Sequence, residues 1–190
     1  MTRKKNDKAW GNLPEVDIYA DPGIWICMDE GRNSNCHGDE WGKNVAMKYE
    51  KLGLSDEDGK PIGFDWGHQR SKSFQGIGNA TVQAIGKRIM PTCMQLKNSK
   101  LLLPGFLESH EQKGRHPLLL SDESQATLGF VKDMRAKKIF LQDYDDYLDV
   151  YRAKGCGLKV VCVSHFPKLV RDFTEENFVP DYRTGNTFRR

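Results

Sequence analysis

The stretch Ile24-Trp25-Ile26-Cys27-Met28-Asp29-Glu30-Gly31 carries an apolar run into a carboxylate and then a glycine. An unbroken apolar segment of this length, bounded by turn residues, reads as a buried strand. Asp29 therefore ends a strand in low dielectric, where its charge is costly and its pKa is movable toward a range useful for proton transfer. Position, more than residue type, separates Asp29 from the rest of the 26 acidic residues.

Upstream, Val16-Asp17-Ile18-Tyr19 alternates apolar and polar, and Ala20-Asp21-Pro22-Gly23 has turn chemistry. Together with residues 24–28 this predicts a β-hairpin that aims Asp29 into the following turn. Downstream, residues 39–54 contain no proline and predict a helix through Val45, Met47 and Leu52, followed by an exposed loop over 55–61. Strand signals return over 74–90, where Gly76-Ile77-Gly78 centres a turn and Ala80, Val82 and Ala84 alternate along the returning arm. Residues 101–107 and 117–120 are further buried segments. Ser121 through Gly129 reads as a short helix with a serine cap and a terminal glycine. Segments 138–142, 147–151 and 158–164 predict three more strands, with a Lys154-Gly155-Cys156-Gly157 turn between the last two.

The totals bound the answer. A chain of 190 residues with 38% apolar content is one domain, or one domain with an extension, and has enough apolar mass for a core. The 29 basic and 26 acidic residues are well mixed, so the net charge of +3 produces no field that favours nucleic acid or anionic lipid. No apolar stretch approaches the roughly 20 residues of a membrane span, and the basic start leads into no apolar run. The expectation is a soluble, intracellular chain with no membrane partner. Five cysteines, at 27, 36, 93, 156 and 162, are odd in number and lack Cys-x-x-Cys spacing, which points to reduced thiols. Cys27, Cys36, His37, Cys156 and Cys162 lack the tight local pairs of a zinc site, so no metal and no cofactor are expected. None of the five histidines is assigned a catalytic role, and Asp143-Tyr144-Asp145-Asp146 reads as an exposed acidic turn. The dipeptides Trp10-Gly11, Trp41-Gly42 and Trp66-Gly67 read as core or lid aromatics.

From about Leu13 to about Met134 the order of features resembles a retropepsin, the retroviral and retrotransposon type of aspartic protease. Asp29-Glu30-Gly31 stands where the family has Asp-Thr-Gly or Asp-Ser-Gly. Phe74-Gln75-Gly76-Ile77-Gly78-Asn79 resembles the flap, with Thr81 to Ala84 as its returning arm. Leu118-Leu119-Leu120-Ser121 is similar to the apolar-apolar-glycine segment that crosses beneath the catalytic turn, and Asp122 to Leu128 resembles the helix after it.

The resemblance implies a mainly β fold: a closed retropepsin-like barrel with a flap hairpin and one or two short helices. In this division residues 1–12 are a basic tail, 13–134 the barrel, 135–166 a β-rich extension packing on it and 167–190 a C-terminal tail. It also implies a homodimer in which each copy supplies Asp29 as the catalytic acid. The substrate is an extended peptide or polyprotein, held by Gly76, Ile77 and Gly78 above and by Pro117 and Leu119 at the pocket wall. Gly31 and the flanking Glu30 and Arg32 support the motif. Two departures stand out: Glu30 is anionic where the family has a hydroxyl, and Ser121 replaces the family glycine. Arg32 offers Glu30 a counter-charge.

Two other readings follow from the same residues. One is a catalytically inactive domain used for assembly or peptide binding. The other is a nucleic-acid module in which Gly76-Ile77-Gly78 grips phosphate, with Arg70, Lys72, Lys87 and Arg88 as contacts; the segment before it lacks the apolar spacing of a helix, which makes nucleic acid the weaker partner.

Overall fold

The computed structural model describes residues 13–29, 31, 34–54, 65–66, 73–75, 81–133 and 135–166. The expected tails, 1–12 and 167–190, and the expected loop 55–61 lie outside the described residues. The strands, in chain order, begin with β1 (Glu15–Val16), β2 (Trp25–Met28) and β3 (Cys36–Gly38), after which helix α1 spans Asp39–Leu52. Next come β4 (Asp65–Trp66), β5 (Ser73–Gln75), β6 (Thr81–Gln83), β7 (Gly86–Gln95), β8 (Leu102–Gln112) and β9 (Leu119–Leu120). Helix α2 (Asp122–Thr127) precedes β10 (Phe130–Asp133), β11 (Lys138–Leu141), β12 (Asp146–Leu148), β13 (Tyr151–Ala153) and β14 (Lys159–Cys162).

The expected mainly β class is what the chain adopts. Among the described residues, nine strands form one sheet in the order β1-β13-β14-β2-β9-β3-β8-β7-β4, curled into a half-barrel. β10, β11 and β12 form a separate antiparallel meander, and β5 pairs with β6. The backbone of the large sheet is the β7–β8 hairpin, in register from Gly86↔Glu111 to Gln95↔Leu102. Along β8, Leu103, Gly105, Leu107 and Ser109 are buried while their neighbours are less so, the two-residue alternation of a strand with one face on a core, and the strand ends with both Glu111 and Gln112 buried.

Helix α1 forms where its sequence expects one. Trp41, Val45, Lys48 and Tyr49 share its buried face, the spacing of an amphipathic helix, and Gly53 ends it at φ +64, donating to Tyr49 O and Glu50 O. Trp41, Val45 and Tyr49 join Met90, Leu118, Leu120 and Val160 in the core. Each such side chain contributes about 1.5–3 kcal/mol by leaving water. Helix α2 also forms as read: the Ser121 hydroxyl accepts from Ser124 N at its start, and Gly129 follows at φ +65.

Three expectations are corrected. Residues 16–19 and 24–28 do not form a hairpin, because β1 pairs in parallel with β13 while β13 and β14 lie between it and β2. The Asp17 carboxylate takes the N–H groups of Tyr19 and Ala20, at 3.1 and 3.2 Å, and Asp21 takes that of Gly23 at 2.7 Å. Lys48 Nζ donates to Ile18 O and Gly23 O, so the segment closes as a broad loop around a buried ammonium in place of a tight turn. Second, the expected strand 147–151 is divided between β12 and β13, which belong to different sheets. Third, the acidic turn is not wholly exposed: Asp146 is 3% exposed and accepts backbone N–H groups of Asn98, Ser99 and Tyr147.

Candidate functional site

Strand β2 delivers Asp29 as the sequence suggests, and its neighbours explain how the acid is held. On one side β2 pairs antiparallel with β14; on the other it pairs in parallel with β9, Cys27 opposite Leu119 and Met28 opposite Leu120. Cys27 N donates to Leu118 O at 2.8 Å and Asp29 N to Leu120 O at 3.1 Å. β9 then pairs antiparallel with β3 through Cys36↔Leu119. The chain thus leaves β2, turns through Asp29 and returns as β3 with β9 threaded between the two arms. A turn straddling a third strand is held from both sides.

Side chains brace this crossing. Asp29 Oδ1 accepts the Gly31 N–H at 2.9 Å, which closes the turn locally. Gln125 of α2 donates to Leu120 O at 2.7 Å and to Asp29 O at 3.4 Å. Asn35 accepts from Ser121 N at 2.8 Å and donates to Glu108 O at 2.9 Å, joining the far arm of the turn to β8. Ser121 is itself 1% exposed, and its hydroxyl faces the start of α2 as the helix cap.

Asp29 is half-buried and borders a cavity of about 480 Å³ that Met28, Gly31, Ile139, Val150 and Leu158 also line. Lys132, Lys137, Lys138 and Lys159 stand around it, against the carboxylates of Asp29 and Asp133. The excess of ammonium groups gives the cavity a positive character. Lys137 holds φ +57 in the loop between β10 and β11. Beside the acid, burial and then the charge of Asp29 push the Cys27 thiol up to about 12, which keeps it protonated and inert.

Of the residues singled out by sequence, Asp29 and Gly31 meet at this cavity. Pro117 and Leu119 are buried, Leu119 between Cys27 and Cys36, and are not among the residues that line it. Glu30, Arg32, Gly76, Ile77 and Gly78 lie outside the described residues. The arms flanking the glycine segment do pair, from Ser73↔Gln83 to Gln75↔Thr81, and Phe74 packs edge-on against His110 with ring centroids 5.6 Å apart. Of the basic residues in the nucleic-acid reading, Lys87 pairs with Glu108 at 2.5 Å and Arg88 with Glu111 at 3.0 Å, while Arg70 and Lys72 lie outside the described residues.

Two groupings had no local signal. The cavity lysines come from strands and loops far along the chain, and each alone reads as a solvated charge. His37 lies with Nδ1 2.8 Å from Ser109 Oγ and Nε2 3.4 Å from Glu111 Oε2, the residue types of a hydrolytic triad. His37 and Ser109 are 0% and 1% exposed, so a substrate has no approach and the trio is structural. Burial lowers the His37 pKa against the pull of Glu111. Among the described residues no group of three or more His, Cys, Asp or Glu side chains is arranged to hold a metal ion. Nor is any helix among them long and apolar enough to cross a membrane.

No protein-family model matches the chain, and comparison with curated proteins and with solved structures finds no match. The functional reading therefore rests on the site itself.

Proposed function

We propose that the chain is an aspartic-protease-like domain of the retropepsin type, hydrolysing peptide bonds through Asp29 paired with Asp29 of a second copy. The observation that supports this reading is the β2–β9–β3 crossing. It holds a strand-end carboxylate over a buried apolar segment that runs straight into a capped helix, the relation the sequence resemblance implies for Leu118-Leu119-Leu120-Ser121.

In this reading two carboxylates at roughly 3 Å cannot both ionise. One, ionised, takes a proton from a water molecule as the water attacks the peptide carbonyl; the other, protonated, donates to the carbonyl oxygen. Collapse of the tetrahedral intermediate breaks the C–N bond, with a proton passing to the leaving amine. By the resemblance, the substrate is an extended peptide, with Gly76, Ile77 and Gly78 in the flap's role and Glu30 and Arg32 beside the acid in sequence. The lysines around Asp29 favour substrates with acidic side chains.

A second reading, a catalytically silent peptide-binding domain, draws on the same lysines, which line the cavity beside Asp29 and suit an acidic peptide. Incubation with an acidic peptide library at mildly acidic pH separates the two. The protease reading expects cleavage that pepstatin and Asp29→Asn both abolish. Peptide binding without cleavage supports the silent domain.

A further inference from the structure

The cavity beside Asp29 has an apolar floor and a charged wall. Ile139 and Val150 are 3% and 7% exposed and line it together with Met28 and with Leu158, which stays 42% exposed. The wall comes from three pieces of chain: Lys132 on β10, Lys137 and Lys138 at the entry to β11, and Lys159 at the start of β14. Strand register sorts these lysines. Lys132 stands opposite Ile139 and shares the face that Ile139 buries, whereas Lys138 stands opposite Asp133 on the other face. Lys138 is exposed, with Nζ 4.8 Å from the centre of the Tyr147 ring. Asp133 serves the β10–β11 turn, its Oδ1 accepting Arg135 N at 2.9 Å and Ala136 N at 2.7 Å. That pair belongs to the rim. Lys132, Lys137 and Lys159 are half-buried, and the carboxylate beside them is that of Asp29.

Three ammonium groups against one carboxylate favour a ligand with two negative charges. Consecutive acidic residues of an extended peptide point to opposite faces, and those two positions apart are separated by about 7 Å, so neither brings both charges to one point. A phosphate monoester does. It carries close to two charges at neutral pH and offers several acceptor oxygens to point-charge donors such as lysine. The floor suits an apolar body behind that head: a flat ring covers Met28, Ile139, Val150 and Leu158 while its phosphate stays at the wall. The volume of about 480 Å³ is ample for such a group.

We propose that this cavity binds an aryl phosphate, of the kind a phosphotyrosine side chain presents on a peptide. Such binding goes beyond the hydrolysis proposed for Asp29 and requires neither cleavage nor a second copy of the chain. It also gives Asp29 a definite sign, because its charge opposes the phosphate.

The test is fluorescence anisotropy on the full chain at about pH 7.5 and low salt, with a labelled peptide carrying a central phosphotyrosine and the same peptide carrying tyrosine or glutamate there. The phosphotyrosine peptide is expected to bind about tenfold tighter than either of the others. Phenyl phosphate is expected to displace it at about a tenth of the concentration that inorganic phosphate needs, because only the former covers the floor. Lys132→Met and Lys159→Met are each expected to weaken binding about fivefold, and Asp29→Asn to strengthen it about threefold. Lys154, exposed on the β13–β14 turn and outside the cavity lining, is the control, and Lys154→Met is expected to change binding by less than about twofold. Damage to the fold weakens binding in any variant, so the opposite sign at Asp29 separates charge from structure. Equal binding of the three peptides, equal displacement by the two phosphates, equal losses at Lys132→Met and Lys154→Met, or weaker binding by Asp29→Asn each overturns the proposal. Tighter binding of the phosphotyrosine peptide than of phenyl phosphate assigns the ligand to a peptide, and equal binding assigns it to a free aryl phosphate. The peptides and phosphates are compared on the unsubstituted chain, so that result stands even where a variant fails to fold.

Discussion

Asp146 shows how one side chain joins distant segments. Its carboxylate accepts Ser99 N at 2.8 Å, Tyr147 N at 2.7 Å and Asn98 N at 3.1 Å, fastening the β7–β8 turn to β12. Burial favours the neutral acid, yet these donors outweigh it and bring the pKa to about 2. The ordinary carboxylate value is about 3.9, so this stabilisation is present above about pH 4 and is lost as pH falls toward 2. Replacing Asp146 by Ala leaves the three donors without their acceptor, and urea unfolding at pH 7 is expected to show a loss of about 1–3 kcal/mol. The gap between the two proteins should narrow below pH 4. His37 acts in a higher window. Its folded pKa lies below the ordinary value of about 6.5, so the unfolded chain takes up the extra proton as pH drops. Stability is therefore expected to rise with pH up to about 6.5, and His37→Gln to flatten that dependence in urea midpoints.

At the scale of elements, the entry into α1 is the tightest point. A Cβ on Gly38 would sit 2.3 Å from Gly114 O, a backbone atom fixed by the bond from Gly114 N to the Asp39 carboxylate at 2.9 Å. Gly38→Ala is expected to destabilise by about 1–3 kcal/mol through overpacking, measured by thermal unfolding; Gly38 is also the N-cap of α1, where glycine is preferred to alanine. The two helices were legible because their signals are local: Ser121 and Gly129 mark both ends of α2, and residues 39–54 hold no proline. The face of α1 was not: Met47 and Leu52, read with Val45 as its apolar positions, are exposed, and the buried face is Trp41, Val45 and Tyr49. The β1–β2 region was not, because Asp17, Asp21 and Lys48 compete for the backbone groups a hairpin would use, and Lys48 arrives from another element. The crossing of β9 between β2 and β3 was not legible in the residues themselves. Strands of two or three residues carry no pairing information of their own, and their partners lie far away in sequence.

Over the whole molecule, the last strands complete the sheet that holds the candidate acid: β14 flanks β2 opposite β9, and Lys159 at its start lines the Asp29 cavity. The region after residue 134 is thus part of the wall around Asp29. None of the cavity lysines was visible as a site component from sequence, since only the fold gathers Lys132, Lys137, Lys138 and Lys159 around residue 29. The proposed chemistry needs a second carboxylate at the same point, and the symmetric route to one is a second copy of the chain. Sedimentation velocity over a wide concentration series measures this directly. The account predicts a reversible shift from monomer to dimer as concentration rises; a chain that stays strictly monomeric at the highest concentration would contradict it.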